Sequence, residues 1–121
     1  MKKILIIDDD YEIREILSTY LSSQNFEIET AENLTIAEQK VSTFQPDLIL
    51  LDMILPDGHG NDFLQTLQKK NITIPVIMVT GVTEKDVALR SLELGATDYI
   101  TKPIDLQYLS TSVIAKLLTV L

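Results

Sequence analysis

The chain has 121 residues, no cysteine, a single histidine and a formal net charge of −8. That length makes one domain, 1–121, able to bury a sizeable core without a disulfide or metal staple. The missing cysteines exclude disulfides, thiolate nucleophiles and Cys-based zinc sites, and the acidic balance argues against direct nucleic-acid binding, which needs a basic face.

Met1-Lys2-Lys3 carries the charge of a signal peptide, but the apolar run behind it is short and meets three aspartates, so a leader is rejected. No run approaches the roughly 18 apolar residues of a membrane span, and a cytoplasmic chain is expected. Ile4-Leu5-Ile6-Ile7 is too short for a helix and β-branched, the pattern of a buried strand. Between Asp10 and Ser23, Ile13, Leu17, Tyr20 and Leu21 recur at helical spacing. Phe26 to Thr30 alternates apolar and polar, as an edge strand does. Residues 34–44 read as a helix with Ile36, Ala37, Val41 and Phe44 inward, closed off before Pro46.

Leu48-Ile49-Leu50-Leu51 is a second central strand, and Pro56-Asp57-Gly58-His59-Gly60 reads as a loop. Phe63, Leu64 and Leu67 mark a third helix, and Ile74 to Val79 a strand with Pro75 near its start. A fourth helix over 84–94 stops at Gly95, Asp98 to Thr101 is a fifth strand, and Asp105 caps a last helix. Strands alternating with helices imply a parallel sheet covered on both faces. The fold class is therefore α/β: a doubly wound, flavodoxin-like (βα)5 domain with expected strand order 2-1-3-4-5.

Ligands of such folds bind beyond the carboxyl ends of the strands. Asp8, Asp9 and Asp10 follow the first strand, Asp52 the third, Thr80 and Gly81 the fourth, and Lys102 and Pro103 the fifth. Asp10 stands where a helix cap belongs. Asp9 and Asp52, on neighbouring strands, would repel by roughly 3 kcal/mol at about 5 Å and an effective dielectric near 20. A hard cation held by oxygen ligands would relieve this, and few protein ligands suit Mg²⁺ better than Ca²⁺. A carboxylate such as Asp52 can accept a phosphoryl group, and charge neutralisation by the ion and Lys102 would assist. Taken alone, Lys102 also reads as a surface lysine and Thr80 as an ordinary strand residue.

Four segments together are specific: Ile4 to Asp10, Pro46 to Gly58, Val79-Thr80-Gly81, and Gly95 to Pro103. In this order and spacing the chain resembles the receiver domains of two-component response regulators, from residue 2 to about 118. The resemblance implies that Asp8 and Asp9 are the acidic pair, with Asp9 the more direct metal ligand, and that Asp52 is the phosphoacceptor. It implies the Ile54 carbonyl as a further Mg²⁺ ligand, Thr80 and Lys102 as holders of the phosphoryl group, and Tyr99 as the switch aromatic. It implies transfer from a phosphohistidine of a sensor histidine kinase or phosphotransfer protein, in a domain that is not a turnover enzyme. The bond before Pro103 is usually cis in such domains.

The chain departs from the family at His59, where an acid is usual and which is read as a polar loop residue, and at Asn25, which tolerates a left-handed turn. Ile54 and Val82 flank the expected site and are apolar, so slow self-hydrolysis of the acyl phosphate is expected. Phosphorylation would alter the face of the fourth helix, fifth strand and fifth helix, offered to a dimer mate or effector domain. In the last helix Leu106, Leu109, Val113 and Leu117 are set to face the core, while Ile114, Leu118 and Leu121 form a second stripe, either core or docking surface. The apolar end at Val120-Leu121 would suit a piece of a longer regulator.

Two rivals fit less well. A haloacid-dehalogenase-type phosphohydrolase would use Asp8 as nucleophile, but Glu12 stands where Thr or Val belongs, and no Gly-Asp-x-x-x-Asp follows Lys102. A flavin carrier would need a phosphate-cradling loop where the three aspartates stand. A degenerate receiver acting only as an interaction module is disfavoured by the presence of Asp52, Thr80 and Lys102.

Overall fold

Three strands of the central sheet carry buried apolar runs, at 4–7, 48–51 and 76–79, and this dictates helices on both faces. In the computed structural model, which describes residues 1–118, the strands are β1 (Lys3–Ile7), β2 (Glu27–Ala31), β3 (Leu48–Leu51), β4 (Val76–Thr80) and β5 (Asp98–Thr101). All pair in parallel in the order β2-β1-β3-β4-β5, as expected. The helices are α1 (Tyr11–Ser22), α2 (Leu34–Phe44), α3 (Gly60–Lys69), α4 (Lys85–Glu93) and α5 (Leu106–Leu118).

Strand alternation sorts the core into two layers. Leu5, Ile7, Ile49, Leu51 and Met78 meet Ala37, Val41 and Phe44 of α2 and Phe63, Leu64 and Leu67 of α3. Ile4, Ile6, Leu48, Leu50, Ile77 and Val79 meet Leu17 and Leu21 of α1 and Leu109 and Val113 of α5. Each of the larger side chains contributes about 1.5–3 kcal/mol by leaving water. Leu106 and Leu117 pack on the second layer only in part. Ile114 and Leu118 stay exposed, so the second stripe of α5 is surface over the described residues; Leu121 and the Val120-Leu121 end lie outside them.

Local chemistry sets the element ends. The Asp10 side chain accepts from Glu12 N–H and caps α1; Asp105 accepts from Tyr108 N–H at 3.1 Å and caps α5. Asn25 adopts φ +69°, the left-handed turn its side chain tolerates. Gln45, at φ +54°, ends α2 in the same region, without a glycine to announce it. Two expectations need correction. The β4 strand begins at Val76, so Ile74 and Pro75 lead into the sheet rather than belonging to it. The stretch expected as a loop is a tight ribbon, in which Ile54–Leu55 pairs antiparallel with Gly58–His59. Its two-residue strands are too short to show alternation. No helix among the described residues is long and apolar enough to cross a membrane.

Candidate phosphoacceptor site

The sheet register assembles the site. Ile7 pairs with Leu51, so the residues one step beyond, Asp8 and Asp52, emerge side by side; Asp52 N–H donates to the Ile7 carbonyl at 2.9 Å. Thr80 pairs with Thr101, and Lys102 N–H donates to the Thr80 carbonyl at 2.8 Å. Four strands thus deliver Asp8, Asp52, Thr80 and Lys102 to one edge. The peptide bond between Lys102 and Pro103 is cis.

Carboxylate oxygens of Asp8, Asp9 and Asp52 lie within 4.8 Å of one another. Asp8 and Asp52 are buried, at 2% and 6% exposure, whereas Asp9 is exposed. The Lys102 ammonium bridges the buried pair, 2.8 Å from Asp8 Oδ2 and 3.1 Å from Asp52 Oδ2. The other Asp52 oxygen, Oδ1, accepts from Met53 N–H at 2.7 Å. Asp8 Oδ1 accepts from Asp10 N–H at 2.9 Å.

Burial pushes the Asp8 carboxyl above the usual carboxylate range; the bonds from Lys102 and Asp10 oppose this, and the charge of Asp52 adds to it. Burial alone would lower the Lys102 ammonium, but its bonds to Asp8 and Asp52 and their charges outweigh that and hold it above the ordinary lysine value. Both partners are therefore raised: the lysine is satisfied by the pair, and Asp8 is not fully compensated for leaving water. Three carboxylates against one ammonium leave two negative charges concentrated at the site. An all-oxygen donor set carrying that charge fits a hard divalent cation.

The loop from β4 to α4 is tied at Val82 from two sides. Val82 N–H donates to Thr80 Oγ1 at 3.3 Å, and the Tyr99 hydroxyl donates to the Val82 carbonyl at 2.6 Å. Tyr99 is half-buried, and burial, then the charges of Glu84 and Asp52, raises its phenol. Ile54 is exposed and Val82 half-buried. His59 sits at the N-terminus of α3, where its N–H donates to Asp62 Oδ2 at 3.4 Å.

Three residues around the site were not singled out from sequence. Arg14 Nη1 donates to the Asp8 carbonyl at 2.7 Å; its place one turn into α1 was the available signal. Gly60 packs so closely that a Cβ would lie 2.5 Å from the Asp52 carbonyl oxygen, a backbone contact that no side-chain pattern reveals. Asp57 accepts from Leu34 N–H at 2.8 Å, and from Thr35 N–H at 3.0 Å and Thr35 Oγ1 at 2.8 Å. The Leu34 bond above all, then the Thr35 bonds, hold its carboxyl below the usual range.

A doubly wound sheet with an acidic cluster, a hydroxyl and a lysine at its carboxyl edge is the signature of one class, and residues 4–114 match the family described as response regulator receiver domain. The chain belongs to that family: it is a receiver domain of two-component response regulators. It is 42% identical over 104 residues to the phosphate regulon transcriptional regulatory protein PhoB of Pseudomonas aeruginosa, covering 84% of this chain and 45% of that protein. It is 39% identical over 105 residues to the response regulator protein PilR of the same organism, covering 87% of this chain and 24% of the relative. The chain thus spans about a quarter of one of these relatives and just under half of the other. Its fold matches the crystal structure of a two-component response regulator from Clostridium difficile with a TM-score of 0.92 at 33% identity, over 99% of this chain and 98% of that one.

Proposed function

We propose that Asp52 is the phosphoacceptor of this domain, and that Asp8, Asp9, Asp52 and the Ile54 carbonyl would hold a Mg²⁺ ion beside it. The observation that carries this reading is the carboxylate cluster within 4.8 Å at the strand ends, with Lys102 bonded to Asp52. When bound, the ion supplies charge neutralisation for the transferred phosphoryl group. A carboxylate oxygen of Asp52 attacks the phosphorus of a phosphohistidine as the P–N bond breaks, giving an acyl phosphate. Met53 N–H, on Oδ1, orients the carboxylate. Lys102 and the buried Thr80 hydroxyl hold the phosphoryl oxygens, and Tyr99 follows Thr80 as the switch.

The donor is a sensor histidine kinase or a phosphotransfer protein, and the setting is cytoplasmic. The domain promotes its own phosphorylation and dephosphorylation and has no separate turnover substrate. Output runs through the α4-β5-α5 face, where Leu89, Leu92, Tyr108, Ile114 and Leu118 are exposed. That face suits a dimer mate or an effector domain, and nucleic acid is not contacted by this domain directly.

Intact-protein mass after incubation with acetyl phosphate tests the reading. One added phosphoryl group is expected, dependent on both Mg²⁺ and Asp52, and absent from Asp52→Ala. An adduct that persists in Asp52→Ala would assign the nucleophile elsewhere. Because Ile54 and Val82 cannot orient an attacking water, Ile54→Asn and Val82→Glu are each expected to shorten the acyl-phosphate lifetime severalfold, read as decay of the adduct mass. Unchanged decay in both variants would remove water access at these positions as the control.

A further inference from the structure

We propose that Asp57 is a positioning residue for the metal site: its carboxylate pins the tip of the Ile54–His59 ribbon to the start of α2 and so fixes the Ile54 carbonyl. The inference rests on the reading above that this carbonyl is a metal ligand. A two-stranded ribbon with two residues a side is marginal by itself, so its position must come from anchors. At its base Gly60 N–H donates to the Met53 carbonyl at 2.7 Å. At its tip Asp57 reaches across more than twenty residues of sequence to Leu34 N–H, Thr35 N–H and Thr35 Oγ1, at 2.8, 3.0 and 2.8 Å. Ribbon and helix touch directly there as well: a Cβ on Gly58 would lie 2.9 Å from Leu34 Cδ1.

The plainer role is helix capping. However, α2 carries its own cap, Asn33, whose Oδ1 accepts from Ile36 N–H at 2.8 Å. Asp57 takes the two earlier donors that Asn33 leaves, and it is the one of the two acceptors that lies on the ribbon. The pair therefore separates capping from positioning. Both variants lose a cap of α2, and only Asp57→Ala releases the ribbon.

The test is a Mg²⁺ titration of the chain followed by amide chemical shifts, with melting curves taken without metal. Asp57→Ala is expected to raise the Mg²⁺ Kd about tenfold, the scale on which groups that orient metal ligands act. Asn33→Ala should lower the melting temperature comparably and leave Kd within about twofold. Asp57→Asn, which retains one acceptor for Leu34 N–H, should fall between wild type and Asp57→Ala. If Asp57→Ala does not fold, Thr35→Val removes a single bond and is expected to raise Kd about threefold. An equal shift in Asp57→Ala and Asn33→Ala would reduce Asp57 to a cap, and an unshifted Kd in Asp57→Ala would overturn the proposal outright. Asp9→Asn, titrated alongside, separates the layers. If it weakens binding while Asp57→Ala does not, only the positioning role fails; if it too leaves Kd unchanged, the metal site is misassigned.

Discussion

Replacing Lys102 by methionine is expected to tighten Mg²⁺ binding about tenfold, while lowering the melting temperature of the metal-free protein by about 8 °C. The ammonium is the counter-ion of two buried carboxylates, at 2.8 Å from Asp8 and 3.1 Å from Asp52. Removing one partner of a buried pair costs about 3–5 kcal/mol. The lysine side chain is 22% exposed, so water takes up part of this, and about 2 kcal/mol remains. The raised lysine contributes stability that is fully present below its ordinary pKa and is lost as pH rises through its higher folded value. The pair is therefore intact at neutral pH, where the comparison should be made.

A divalent ion entering the wild-type cluster must work against that ammonium, whereas in the variant it meets only carboxylates. A divalent ion and an ammonium at about 5 Å and an effective dielectric near 20 repel by roughly 7 kcal/mol; the lysine relieves most of this by moving away, and about a tenfold gain remains. Calorimetric titration and melting with and without Mg²⁺ read both effects. Phosphoryl uptake from acetyl phosphate should nevertheless fall about a hundredfold, because the group proposed to steady the transferred charge is gone. Weaker Mg²⁺ binding in Lys102→Met would mean that the lysine supports the metal rather than competing with it.

Gly60→Ala is expected to cost about 2–3 kcal/mol, a fall of about 10 °C in melting temperature, and to impair phosphorylation at Asp52. The added methyl would sit 2.5 Å from the Asp52 carbonyl oxygen, 3.0 Å from Met78 Cε and 3.2 Å from Met53 Cα. Two of those neighbours are backbone, which cannot swing aside. Relief requires the start of α3 to back away from Asp52, the proposed phosphoacceptor. Gly81 provides the contrast, since a Cβ there meets nothing within 4 Å. Gly81→Ala should leave the melting temperature unchanged or slightly higher. Equal losses at the two glycines would show that the close approach at Gly60 is relieved elsewhere.

The sheet was legible in the sequence because parallel strands buried on both faces leave runs such as Ile4 to Ile7 and Leu48 to Leu51, and because polar residues cluster where those runs end. The residues of the acidic cluster were legible for the same reason: Asp8 and Asp52 each stand one step past a paired strand end. What stayed hidden depends on backbone. The ribbon is too short to carry a period, Gln45 turns left-handed without a glycine, and Gly60 acts through the absence of a side chain. Asp57 looked like an ordinary turn residue because its partners, Leu34 and Thr35, lie on another element. The ion pair is a further case. The motif puts Lys102 at the site, but its direct bonds to Asp8 and Asp52 join positions 94 and 50 residues apart, which no local pattern connects.

The bond between Lys102 and Asp8 spans 94 residues of chain and that between Lys102 and Asp52 spans 50. As the chain is synthesised, both acids emerge long before their counter-ion. A partial sheet of β1, β2 and β3 therefore holds an uncompensated acid pair at its edge, which disfavours premature closure. The counter-ion arrives in one step, when the fifth strand docks beside the fourth. A shortened chain that ends before residue 102 keeps both acids and lacks the ammonium that neutralises them, so its sheet edge carries one more uncompensated negative charge than the complete fold.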